Sequence, residues 1–131
     1  MPTKKTQQKI LVVEDETFLV KIYSVKLKSE GFDVSVATDG VEAIKMTDSF
    51  KPDLILLDLV LPKMNGFEAL EKIRSKPENR NIPVIVLSNL SQEEDVKRAQ
   101  ALGAMIYLVK ADFSIQDIVS KIKETIGKKN S

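Results

Sequence analysis

The chain has 131 residues, 43% hydrophobic and 30% charged, with a formal net charge of +1, which suits one domain with a core of its own. That balance argues against the broad basic footprint of a nucleic-acid binder, and no apolar run approaches the roughly 20 residues of a membrane span. Cysteine and histidine are both absent, which removes disulfides, thiolate metal sites, Ser–His and Cys–His nucleophile pairs and every imidazole base.

In chain order, the N-terminal MPTKKTQQK is basic but has no apolar signal core behind it, so a cytoplasmic location is expected. Lys4, Lys5 and Lys9 at this end, and Lys121, Lys123, Lys128 and Lys129 at the other, read as solvated ends. Residues 10–13 form the first aliphatic run, which stops at Glu14 and Asp15. Phe18, Ile22 and Val25 give the stripe of a first helix, closed by Gly31. Residues 32–37 alternate, as a half-exposed edge strand does. Asp39 and Glu42 form a capping box for the second helix.

The run 54–57 ends at Asp58, a lone carboxylate in the apolar octamer ILLDLVLP. A third helix is expected to begin near Gly66 and run through Leu70 and Ile73, with residues 75–82 as its exit loop. Residues 84–87 lead to Ser88, and Ser91 with Glu94 reads as the next capping box. Residues 105–109 lead to Lys110. Ser114 with Asp117 caps a last helix whose stripe is Ile115, Ile118, Val119, Ile122 and Ile126, with Gly127 as its C-terminal cap.

Nearly continuous aliphatic strands alternating with helices imply a parallel sheet covered on both faces and joined by right-handed crossovers. With the alternating strand at an edge, the order 2-1-3-4-5 follows. The expected fold is a flavodoxin-like three-layer α/β/α sandwich of five strands and five helices. Residues 1–8 and 128–131 are expected as tails and 9–127 as the domain.

In such a sheet all strand C-terminal ends share one edge, where open α/β folds bind ligands. Glu14, Asp15, Asp58, Ser88 and Lys110 therefore converge there. Each has a blander use alone: a helix cap for the acids, a loop hydroxyl for Ser88, a structural partner of Asp58 for Lys110. Their joint placement favours chemistry. Crowded carboxylates raise one another's pKa unless a cation joins them, and one lysine is too little for three. A hard, oxygen-liganded divalent ion such as Mg²⁺ fits the remainder. With a lysine and a hydroxyl beside it, this is a phosphoryl-binding set in which one carboxylate can become an acyl phosphate.

Four segments carry a resemblance: ILVVEDE, DLILLDLVLPKMNG, PVIVLSNL and GAMIYLVKADF. Together, over nearly the whole chain, they resemble the receiver domain of two-component response regulators. The resemblance implies that Asp58 accepts a phosphoryl group from the phosphohistidine of a sensor histidine kinase or phosphotransfer protein. It implies a Mg²⁺ site, with Mn²⁺ as a substitute, made by Asp15, Asp58 and the backbone carbonyl of Val60, with Glu14 acting partly through water. Lys110 and Ser88 would bind phosphoryl oxygens, and Tyr107 would switch the face of the fourth helix, fifth strand and fifth helix toward a downstream protein.

Two departures from that family stand out. Ala111 follows the lysine where a proline with a cis bond is usual; a cis bond to a non-proline residue costs about 2.5–4 kcal/mol, so either the peptide is trans or the strain is tolerated. Glu14 replaces a common aspartate. Val60 and Leu90 flank the family's hydrolytic-water path and are aliphatic, so a long-lived phosphoryl state is expected. A stand-alone receiver is the first reading, since only GKKNS follows the last helix. A receiver excised from a longer DNA-binding regulator is the second. An aspartyl-nucleophile phosphatase of the haloacid-dehalogenase type is third, weakened by Val60 where a second aspartate is needed.

Overall fold

Strand β1 (Lys9–Val13) lies between β2 (Asp33–Ala37) and β3 (Leu54–Leu57), followed by β4 (Val84–Ser88) and β5 (Ile106–Val109). All pairings are parallel and the order is β2-β1-β3-β4-β5. This computed structural model describes residues 7–130, with side chains through 127. The N-terminal lysines 4 and 5 and the side chains of Lys128 and Lys129 lie outside the described residues.

Among the described residues five α-helices cover the sheet: α1 (Thr17–Ser29), α2 (Gly40–Phe50), α3 (Gly66–Arg74), α4 (Glu93–Ala101) and α5 (Ile115–Asn130). Successive side chains on a strand point to opposite faces, so each aliphatic run feeds two cores. Leu11, Val13, Ile55, Leu57, Val84 and Val86 pack with Phe67, Leu70 and Ile73 of α3 on one face. Ile10, Val12, Leu54, Leu56, Ile85 and Leu87 pack with Tyr23 and Leu27 of α1 and the α5 stripe on the other. The three-layer α/β/α sandwich is the observed fold. No described helix is long and apolar enough to cross a membrane.

Two of the three expected capping pairs form. Asp39 accepts from the Glu42 N–H at 2.7 Å, and Ser114 and Asp117 exchange bonds of 3.1 and 3.0 Å. A further cap opens α3: Asn65 Oδ1 accepts from the Glu68 N–H, and the Asn65 side-chain Nδ2 donates to Glu68 Oε1, both at 3.0 Å. Such a cap is worth about 1 kcal/mol.

Three expectations need correction. Helix α4 starts one residue later than a Ser91 cap implies: its N-cap is Gln92, with no side-chain cap bond, so Ser91 and Glu94 form no box. Helix α5 continues through Gly127 to Asn130, because a glycine with open space around it weakens a helix without ending it. On α1 the buried residues are Tyr23 and Leu27, while Phe18 and Val25 are 74% and 61% exposed. The core stripe there runs through Leu19, Ile22, Tyr23 and Leu27 at helical spacing, and the other two fall beside it.

Candidate functional site

Register decides which residues meet at the sheet's C-terminal edge. Val13 pairs with Leu57 across β1 and β3, so the residues that follow them, Glu14 and Asp58, leave the sheet side by side. The Asp58 N–H still donates to the Val13 carbonyl at 3.0 Å, and the Glu14 N–H to the Ala37 carbonyl at 3.0 Å. Ser88 pairs with Val109, which sets the hydroxyl level with the start of Lys110.

Asp58 is 6% exposed, and each of its oxygens is engaged. Oδ1 accepts from the Leu59 N–H at 2.7 Å and the Val60 N–H at 3.3 Å. Oδ2 takes the Lys110 ammonium at 2.9 Å. Lys110 also reaches Glu14 Oε1 at 2.7 Å. One ammonium thus bridges two buried carboxylates; its pairing with Asp58 was expected, and its contact with Glu14 was not. Burial disfavours the charge on Lys110, but the bonds to Glu14 and Asp58 outweigh it and raise its pKa, so it stays cationic. Burial pushes the Glu14 carboxyl up, opposed by its bonds to Lys110 and to the Glu16 N–H.

Glu14, Asp15 and Asp58 can bring one carboxylate oxygen each within 4.8 Å of one another. Asp15 is exposed, and among the described residues its carboxylate makes no hydrogen bond or ion pair. Three acids against one lysine, all with hard oxygen donors, fit a divalent cation such as Mg²⁺. The cleft above them is about 340 Å³ and is lined by Asp15, Glu16, Asp58, Val60, Asn89 and Lys110. Asn89 was not singled out from the sequence, although its place directly after Ser88 puts it on the same edge. Tyr23 was missed too: it is buried on α1, and burial raises its pKa to about 12, with Lys110, Glu14 and Asp58 within electrostatic reach. No periodicity marks a helical tyrosine as a neighbour of that cleft.

Ser88 is fully buried. Its Oγ accepts from the Leu90 N–H at 3.3 Å, and the Tyr107 hydroxyl donates to the Leu90 carbonyl at 2.6 Å. The hydroxyl and the ring thus hold the same residue of the loop between β4 and α4. After Lys110 the chain makes a 3₁₀ turn, Lys110–Asp112. No described peptide bond is cis, so of the two alternatives at Lys110–Ala111 the trans peptide is the one present.

The family model described as the response regulator receiver domain matches residues 10–123. A Mycobacterium tuberculosis protein named transcriptional regulatory protein PdtaR is 37% identical over 122 residues, 92% of this chain and 58% of that one. The Bacillus subtilis alkaline phosphatase synthesis transcriptional regulatory protein PhoP is 37% identical over 116 residues, 88% of this chain and 47% of that one. The chain spans about half the length of these curated relatives. Among solved structures, a CheY-like receiver domain protein from Methanospirillum hungatei aligns with a TM-score of 0.88 at 27% identity, covering 95% of this chain and 98% of that one. The receiver domain of sensor histidine kinase PA1611 from Pseudomonas aeruginosa, solved with a magnesium ion coordinated in its active-site cleft, aligns with a TM-score of 0.84 at 29% identity, covering 93% and 99%.

Proposed function

The chain belongs to the response regulator receiver domain family, and on that premise we propose that Asp58 is its phosphoacceptor. The observation that carries this is the Asp58 carboxylate, buried at the strand edge with Lys110 at 2.9 Å and two further carboxylates within 4.8 Å. The donor is the phosphohistidine of a sensor kinase or phosphotransfer protein. An Asp58 oxygen attacks phosphorus, the oxygen–phosphorus bond forms, the nitrogen–phosphorus bond breaks, and its electron pair returns to the imidazole. The Leu59 and Val60 N–H groups fix the carboxylate's orientation, while Lys110 and the Ser88 hydroxyl take phosphoryl oxygens. Glu14, Asp15, Asp58 and the Val60 carbonyl would hold Mg²⁺, or Mn²⁺ in its place, which neutralises charge on the phosphoryl oxygens when bound.

Output follows from Leu90. If Ser88 turns toward a phosphoryl oxygen, it releases the Leu90 N–H, and the Tyr107 hydroxyl loses the fixed carbonyl it bonds. The face of α4, β5 and α5 is then a two-state element biased by a local charge, read by a downstream protein.

Incubation with Mg²⁺ and a small acyl-phosphate donor should add one phosphoryl mass to the intact protein, mapped to the peptide holding Asp58 and absent when a chelator is present from the start. Labelling elsewhere, or none, would sink the proposal. The adduct is expected to persist well beyond seconds, because Val60, 58% exposed at the cleft, cannot orient a water. Val60→Asn should shorten its lifetime by roughly tenfold or more, measured by decay of the adduct mass; an unchanged lifetime counts against this.

One observation favours a second reading, a receiver module of a longer DNA-binding regulator: the curated relatives are about twice the matched length and carry transcriptional names. The position of the gene's stop codon decides between the two.

A further inference from the structure

Lysine is a long, flexible cation, and its placement in a site depends on what its ammonium touches. Lys110 touches two carboxylates, Glu14 at 2.7 Å and Asp58 at 2.9 Å. These two differ in what happens to them. On phosphorylation Asp58 becomes an acyl phosphate and loses its carboxylate charge, whereas Glu14 is unchanged.

Glu14 is itself fixed in place. It is 2% exposed, its Oε2 accepts from the Glu16 N–H at 3.1 Å, and its own N–H is tied to Ala37 at 3.0 Å. Oε1 is left for Lys110. The pair joins the end of β1 to the end of β5, across the edge formed by β3 and β4. A side chain one methylene shorter would draw that oxygen back toward β1.

We infer that Glu14 is a positioning residue for Lys110: it holds the ammonium over Asp58 before transfer and keeps it there once Asp58 has become an acyl phosphate. This rests on the reading of Asp58 as phosphoacceptor. Asp15, exposed and without a partner among the described residues, is left as the acid with both oxygens open to a cation.

The test compares Glu14→Gln, Glu14→Asp, Lys110→Met and the double variant Glu14→Gln with Lys110→Met. In metal-free protein with ¹³C-labelled lysine, the Lys110 ε-methylene signal, assigned by its loss in Lys110→Met, should shift in both Glu14 variants. Phosphorylation by an acyl-phosphate donor at saturating Mg²⁺ should slow by about tenfold in Glu14→Gln, and raising Mg²⁺ further should not restore it. In the Lys110→Met background the same substitution should add less than about twofold, since the two act as one unit. An unmoved Lys110 signal overturns the inference, as does a Glu14 effect of full size in the double variant or one confined to Mg²⁺ half-saturation. If the parent protein takes no phosphoryl group, the function reading fails, while the lysine signal in metal-free protein still decides the Glu14 tie.

Discussion

Replacing Asp58 with asparagine is expected to abolish the phosphoryl adduct while leaving the fold intact. The amide oxygen can still accept from the Leu59 and Val60 N–H groups that now hold Oδ1 at 2.7 and 3.3 Å, so the loop after β3 keeps its geometry. What is lost is the nucleophile, since an amide oxygen is a poor one. Charge accounting predicts the effect on stability. Three carboxylates face one lysine, and Asp58 is among the groups that push the Glu14 carboxyl up. Removing one acid relieves that repulsion, and Lys110 retains Glu14 at 2.7 Å. Without divalent cations the variant should therefore melt no lower than the parent. A melting temperature lower by about 8 °C or more, some 2 kcal/mol for a domain of this size, would show the Asp58–Lys110 pair to be a structural necessity.

The second large effect is expected at Gly66, the first residue of α3. Its N–H donates to the Leu59 carbonyl at 2.9 Å, and an added Cβ would lie 2.6 Å from Leu59 Cα and closer still to the Asp58 carbonyl oxygen. Both obstacles are backbone, so neither can rotate away. Gly66→Ala must push α3 off the end of β3 or bend the strand, at about 1–3 kcal/mol. Thermal melting should show a loss of several degrees, and phosphorylation should slow because the displaced atoms belong to Asp58 itself. Gly127→Ala is the control. It lies inside α5 with nothing within 4 Å of an added Cβ, and should stabilise by about 0.5–1 kcal/mol. Equal effects at the two glycines would mean that helix propensity, and not the packing beneath Asp58, governs both.

The difference between these glycines illustrates what could be read in advance. Gly127 looked like a cap from its place after a stripe, yet the helix passes through it, because a glycine ends a helix only where the chain takes up the left-handed conformation there. The Asn65–Glu68 cap was legible as an N-x-x-E spacing and went unused. Phe18 and Val25 fitted a helical stripe, but several stripes fit α1, and only packing against β1, β2 and α5 selects the one through Tyr23 and Leu27.

Strand ends were the reliable signal. Aliphatic runs with no polar interruption have to be covered on both faces, which makes the sheet parallel and sends every run's final polar residue to one edge. Residue order alone therefore determined the fold class and brought Glu14, Asp15, Asp58, Ser88 and Lys110 together. Which of them touch was decided by the tertiary structure. The pairing of Val13 with Leu57 sets Glu14 beside Asp58. Lys110 can then bridge both acids, and Tyr107 can reach the loop residue that Ser88 holds. Those contacts depend on inter-strand register and on side-chain rotamers chosen by burial, and a linear spacing carries neither.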